Sequence, residues 1–275
     1  MEDKNQYYIG KGVNSNNYWK ELWKFKSLFF FLAWRDILLR YKQTAIGVSW
    51  SIIRPLITLA VFSIVFGYFA KLPDKGMPYT VLVLSALIPW QLFATSFTEA
   101  SNSLIANSNI LTKVYFPRII IPASSIISSL VDFLISFFLL ILLMLYYHIV
   151  PTWRILFIPV FSAIILITSL GASFFVSALN VKYRDFKYIV PVIIQMGLYI
   201  SPVGYSSIVV PEKYQFIYSL NPMVGVIEGF RWSILGQHNS LNLYGLILSA
   251  ILGILIFIFG IAYFRKVEKR FVDYI

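Results

Sequence analysis

Long apolar runs, punctuated by short polar and basic segments, set the pattern of this chain. Runs at about 48–70, 80–106, 119–147, 154–179, 189–209 and 241–264 reach bilayer length, because a hydrocarbon core of about 30 Å takes roughly 20 helical residues to cross. The pattern predicts an all-α integral membrane protein with six transmembrane helices. The fifth run is irregular. Pro191, Pro202, Gly204 and Pro211 interrupt it, and backbone broken in this way persists at membrane depth only where protein or a water-filled cavity satisfies the freed groups. Something other than lipid is expected around it.

Ahead of the first span, YWKELWKFKSLFFFLAWRDILLRYKQ (18–43) holds an apolar run of only eight residues, Ser27 to Trp34, bounded by Lys26 and Arg35. That run is too short to cross. Trp19, Leu22, Trp23, Phe30, Ala33, Trp34, Ile37 and Leu38 largely keep helical spacing, with Lys20, Lys24 and Arg35 between them. An N-terminal amphipathic helix lying in the interface is predicted, followed by a turn near Gly47. Between the fifth and sixth runs, PEKYQFIYSLNPMVGVIEGFRWSILGQ is too apolar for a free loop and too broken for a span. Asn221 suits an N-cap, Pro222 the first helical position and Gly236 a terminus, which predicts a helix from Pro222 to Leu235. An amphipathic turn from Glu212 to Leu220 precedes it. Two short re-entrant helices dipping into the outer leaflet and capping a cavity are therefore expected before the last span.

Composition narrows the class. Of 275 residues, 59% are hydrophobic and 13% charged, against about 45–50% and 25% in soluble domains, which excludes a soluble enzyme. The net charge of +11 is not gathered in one stripe, so no nucleic-acid partner is implied. It falls mainly in segments flanking the apolar runs, among them Lys20 to Lys42, Lys113 and Arg118, Lys182 to Lys187, and Arg265 to Arg270. Only Lys71, Lys75, Arg154, Lys213 and Arg231 fall on the opposite side. The positive-inside rule then places both termini in the cytoplasm. It also makes the fifth run a span, since otherwise the tail FRKVEKRF would face outward. Cysteine is absent and His148 and His238 share no ligand spacing, so neither a disulfide nor a metal site is expected. The first 26 residues lack an apolar signal core, and no cleavable signal peptide is expected.

Candidate chemistry is sparse. No GxxxxGK[ST], HExxH or Ser/His/Asp grouping occurs, so the chain is not expected to hydrolyse ATP or to carry a cofactor. Glu99 and Asp132 fall within predicted spans, where an ionised group is costly and needs a partner. Asp132 has Ser128, Ser129 and Ser136 within a turn, as a hydrogen-bonded helix contact would; Glu99 lies among Thr95, Thr98, Ser101, Asn102 and Ser103, as in a polar, wet half-span. Trp50, Arg54, Thr58, Phe62, Phe66 and Phe69 share one helical face of the first span, and Trp90, Phe93 and Phe97 one face of the second. These rings are either a packing stripe or a path whose flat faces hold sugar C–H surfaces. Arg40, Lys42 and Arg54 sit at phosphate level, for lipid headgroups or for a diphosphate-linked lipid. The segment Asn107 to Arg118 is either a plain loop or a short helix that docks a partner.

Four stretches carry a family resemblance: LLRYKQTAIGVSWSIIRPLI (38–57), LIPWQLFATSFTEASNSLIANSNILTKVYFPR (87–118), NVKYRDFKYIVP (180–191) and SPVGYSSIVVPEKYQFIYSLNPMVGVIEGFRWSILG (201–236). Together they resemble the membrane subunit of ABC-2 type polysaccharide exporters, most closely the O-antigen exporter permeases of Gram-negative bacteria. The resemblance implies one transmembrane domain over 1–275, in the bacterial inner membrane. It implies a homodimer paired with a separate cytoplasmic ATPase that binds ATP and Mg. Residues around Trp23 to Arg35, and Asn109, Lys113, Tyr115 and Arg118, would couple to that ATPase. Undecaprenyl-diphosphate-linked polysaccharide would be taken up near Arg40, Lys42 and Arg54. It would pass a channel to which Trp50, Phe62, Phe66, Trp90, Phe93 and Phe97 are suited, and the outward helices, with Tyr214, Asn221, Pro222, Glu228 and Arg231, would gate it. Teichoic acid and capsule exporters share parts of the pattern, and a drug or lipid ABC-2 exporter is the rival transport reading. A glycosyltransferase would need better-placed carboxylates than the loops offer, and a secondary transporter would need a second broken segment.

Overall fold

The computed structural model describes residues 18–42, 49–69, 78–183, 185–236, 241–268 and 271. The turn expected near Gly47 lies outside them, as do Lys71, Lys75, Arg184, His238, Lys269 and Arg270. Among the described residues all regular secondary structure is helical. Helices α1 (Tyr18–Lys24) and α2 (Lys26–Lys42) precede five helices long and apolar enough to cross a membrane. These are α3 (Ser49–Phe62, continued by a π-wound stretch Ser63–Phe69), α4 (Tyr79–Ala106), α6 (Ile120–Tyr146), α7 (Ile158–Lys182, entered through the 3-10 turn Trp153–Phe157) and α11 (Leu243–Glu268). A single turn, α5 (Ser108–Leu111), joins α4 to α6.

Helix α4 is the hub. Of its most apolar window 72% is buried, against 17% for the first span and 22% for α11, so α4 is enclosed by protein while the others turn most of their surface outward to lipid. Around it α3, α6, α7 and the outward helices build one apolar core. A second core, at the end rich in cations, joins Tyr18 and Leu32 to Leu104, Leu111, Phe116, Phe174, Phe264 and Phe271. Helices α7 and α11 approach so closely that a Cβ added at Gly171 would strike the Phe257 backbone, and one at Gly260 the carbonyl of Gly171. Small residues permit this because, between helices in lipid, van der Waals contact replaces a hydrophobic driving force.

Helix α2 departs from a simple amphipathic helix. Phe30 and Trp34, grouped on the apolar face by spacing, are exposed, as is Phe31, but Ala33 of the same group is buried with Leu32 against the bundle. Both sides of the helix are apolar because one rests on protein.

The fifth run is shorter than 189–209 as a helix. Helix α8 spans Phe186–Ile200, about 22 Å at 1.5 Å per residue. It ends because Pro202 pushes the preceding Ser201 into extended backbone (φ −81°, ψ 153°). The chain then runs irregularly to the 3-10 turn Ser207–Val209 and into α9 (Glu212–Ser219) and α10 (Pro222–Leu235). Helix α10 has the bounds that its cap residues predict: the Asn221 side chain accepts from the Met223 amide at 3.0 Å, and Gly236 ends it at φ +61°. That φ favours glycine.

Helix α10, its cap Asn221 and Tyr79 of α4 supply the missing partners of the broken segment. Arg231 donates to the carbonyls of Tyr205 (2.8 Å) and Val203 (3.0 Å) and pairs with Glu228 at 3.2 Å. The Ser207 backbone amide donates to Glu228 at 3.1 Å, the Tyr79 hydroxyl to the Gly204 carbonyl at 2.6 Å, and Asn221 Nδ2 to Ser201 Oγ at 2.9 Å. Irregular backbone is thus satisfied by protein, as its position requires. Arg231, counted by sequence among the few cations of the opposite side, is a buried staple, 1% exposed.

Candidate functional site

A cavity of about 410 Å³ opens where the end of α2 and the start of α3 lean on α4 and α6. Arg40 and Tyr41 reach it from the last turn of α2, Trp50, Ser51 and Arg54 from α3, Gln91, Thr95 and Glu99 from α4, and Ser129, Asp132 and Ser136 from α6. Helical spacing accounts for each set: Gln91, Thr95 and Glu99, like Trp50 and Arg54, recur at every fourth position and so share a face.

Asp132 is the anchor. Its Oδ2 lies 2.9 Å from Arg40 Nη2, while Oδ1 accepts hydroxyls from Tyr41 at 2.6 Å and Ser51 at 2.5 Å. Arg40 also donates to Ser128 Oγ at 3.3 Å and lies 3.6 Å from Glu99 Oε1. The partners of Asp132 therefore come from α2 and α3 rather than from the serines of its own helix. A carboxylate, 17% exposed in its side chain, is held by one cation and two hydroxyls, the kind of pairing that makes an intramembrane charge tolerable. Burial, reinforced by the bond to Asp132, pushes the Tyr41 hydroxyl up to about 12.

The cavity brings together Arg40, Arg54 and Trp50. Lys42 is exposed at the end of α2 and does not line it. The remaining aromatics lie elsewhere. Phe93 stacks on Phe97 with centroids 5.7 Å apart and Trp90 packs on Phe93 at 5.6 Å, but Trp90 and Phe97 are buried. Trp90 lies against Gly197 of α8, and Phe97 clusters with Val176 and Val190. Phe62 is buried and, with Phe66, covers Gly204. In this conformation Phe62, Trp90 and Phe97 are interior packing, and the open path pictured along them is not presented within one subunit. Among the outward residues, Tyr214 is exposed, Asn221 and Pro222 start α10, and Glu228 and Arg231 form the staple.

Asn109, Lys113 and Tyr115 are exposed on the α4–α6 connection, which is one helical turn and a bend rather than a longer helix. Arg118 turns inward instead: its amide donates to Glu268 Oε1 at 2.7 Å and its guanidinium to the Glu268 carbonyl at 2.6 Å. The Tyr18 hydroxyl donates to Glu268 Oε2 at 3.0 Å, and Arg265 lies 4.6 Å over the Tyr18 ring. Burial and the neighbouring carboxylate raise the Tyr18 hydroxyl well above its ordinary range. Glu268 thus fastens α1, the connection and α11 together. Sequence reasoning passed it over, although a single acid amid Arg265, Lys266, Lys269 and Arg270 is a visible anomaly. Tyr41 and Ser51 had no such signal, since ordinary hydroxyls are marked only by the carboxylate they meet.

The profile of the family described as ABC-2 type transporter matches residues 27–235, which include every wall of this cavity. The chain belongs to the ABC-2 transporter family. This ABC-2 membrane protein is similar to two proteins of Klebsiella pneumoniae named O-antigen export system permease protein RfbA, at 30% and 31% identity over 240 residues. In both cases the match covers 87% of this chain and 91% of the relative. A Myxococcus xanthus protein of the same name is 28% identical over 214 residues, 77% of this chain and 82% of that one. Family and helices together make it a multi-pass membrane transport subunit, and membership implies an ATPase partner.

Proposed function

We propose that this chain is the permease subunit of an ATP-driven exporter that moves undecaprenyl-diphosphate-linked polysaccharide, of the O-antigen type, across the bacterial inner membrane. The observation that carries the reading is the cavity at the cation-rich end, where Arg40, Arg54 and Trp50 meet between the interfacial helix and the first span. A lipid-borne anion sliding in the leaflet reaches this position laterally, with its diphosphate at headgroup depth near Arg54 and its chain in the bilayer.

The topology supports the same reading. Tyr18 bonds to Glu268, so the two ends of the described chain share one side. With both ends on one side the number of crossings is even, and in this reading α8 with the stapled segment after it serves as the sixth beside the five long helices. The cation-rich side is cytoplasmic, and there Asn109, Lys113 and Tyr115 meet a separate ATPase. Two copies complete the export channel between them, and α9 with α10 closes its outward end.

The test is deletion of the gene, followed by complementation with wild type, Arg54→Ala or Lys113→Glu, and examination of surface glycan by gel. Loss of long-chain polysaccharide with lipid-linked polymer accumulating inside is expected on deletion, and restoration only by wild type. Unchanged surface glycan in the deletion strain would overturn the assignment.

A further inference from the structure

The charges in the cavity do not suit a bare diphosphate. Arg40 is engaged by Asp132 at 2.9 Å and Glu99 at 3.6 Å, so a phosphate bound to it would lie beside two carboxylates. At such separations like charges repel strongly in a partly dehydrated site. Arg54, by contrast, is exposed at the mouth, and its guanidinium has no ion pair among the described residues. An anionic group therefore belongs at the rim, leaving the interior for something else.

The interior offers acceptors and one flat ring. Glu99 is half exposed, with its carboxylate only loosely held by Arg40. Thr95 gives its proton to the Gln91 carbonyl at 2.8 Å and so presents lone pairs, while the Gln91 side-chain amide has no bond among those found in the described residues. Ser129 Oγ, in a residue wholly shielded from solvent, lines the cavity with no partner. Such a buried hydroxyl is destabilising unless something bonds to it. The Trp50 ring, 44% exposed, stands one turn before Arg54 on the same face.

We propose that the interior of this cavity is a sugar subsite, taking the pyranose ring that adjoins the diphosphate of the lipid carrier. Glu99 and Gln91 bind its hydroxyls, Trp50 covers its C–H face and Arg54 meets the phosphate outside. A carboxylate accepts hydrogen bonds without donating any, and vicinal hydroxyls are the donors that satisfy it. The volume, about 410 Å³, falls within the roughly 300–1,000 Å³ of small-ligand sites. The inference rests on the exporter reading and adds to it that the first sugar, as well as the lipid diphosphate, is selected at loading.

The test uses the full-length permease with its ATPase in lipid nanodiscs, titrated with undecaprenyl diphosphate or with undecaprenyl diphosphate carrying one hexopyranose. Wild type is expected to bind the sugar-bearing lipid about tenfold more tightly, the size of one hydrogen bond to a charged group. Glu99→Gln and Gln91→Leu should each abolish that preference without changing affinity for the bare lipid, whereas Arg54→Ala should weaken both ligands alike. Glu99→Gln keeps the shape of the side chain and leaves Arg40 its closer partner Asp132, so the fold is retained. Equal binding of both lipids by wild type, or equal loss of both in Glu99→Gln, overturns the sugar subsite and leaves the exporter reading standing. Binding of neither lipid overturns both.

Discussion

Arg231→Met is the most demanding single test of this fold. The guanidinium is 1% exposed and holds the Tyr205 and Val203 carbonyls at 2.8 and 3.0 Å while pairing with Glu228 at 3.2 Å. Methionine fills similar space but strips two carbonyls of a charged donor and takes the Arg231 guanidinium away from the Glu228 carboxylate, 7% exposed. Removing one partner of a buried ion pair costs about 3–5 kcal/mol; the carbonyl bonds belong to the same network and are not added separately. At about 2–4 °C per kcal/mol for a chain of this size, the melting temperature in detergent should fall by roughly 6–20 °C. The double variant Glu228→Gln/Arg231→Met removes the carboxylate charge as well and should melt above the single one. The assay is thermal unfolding followed by intrinsic fluorescence. A single variant melting within about 2 °C of wild type, or a double variant melting no higher than the single, would refute the staple.

Three further outcomes are expected. Gly260→Val should lower the melting temperature sharply in the same assay, because its side chain would occupy the space of the Gly171 carbonyl and overpacking alone costs about 1–3 kcal/mol. Stability carried by Tyr41, whose hydroxyl is raised from 10.0 to about 12, is fully present below pH 10 and lost as pH climbs towards 12, because the folded state then holds a proton that the unfolded state has released. Tyr41→Phe should therefore flatten that alkaline limb relative to wild type in pH-dependent melting curves. Glu268→Ala frees Tyr18 and Arg118 together and should uncouple the exposed residues Asn109, Lys113 and Tyr115 from α11. Surface glycan should drop by severalfold on gels while the ATPase still co-purifies; undiminished export would show that the fastening has no mechanical role.

What the sequence by itself determined was whatever depends on neighbours along the chain. Bilayer-length apolar runs dictate membrane helices because lipid leaves the backbone no other partner. The bounds of α10 follow from Asn221, Pro222 and Gly236, since capping is a matter of adjacent residues, and Pro202 announced the end of α8, whereas Pro191, expected to interrupt the segment too, sits inside that helix without breaking it. Tertiary structure decided everything that needs a partner distant in the chain. Asp132 finds Arg40 and Ser51 from 92 and 81 residues away by the sequence numbering, and Glu268 finds Arg118 across 150 positions. The helical spacing of Trp90, Phe93 and Phe97 was legible, yet periodicity gives a face without saying what that face meets. Only the packing of Gly197 against Trp90 and of Val190 against Phe97 shows those two rings as interior in this conformation. Local order is written in local contacts, whereas which charges and rings meet is settled by how the helices close on one another.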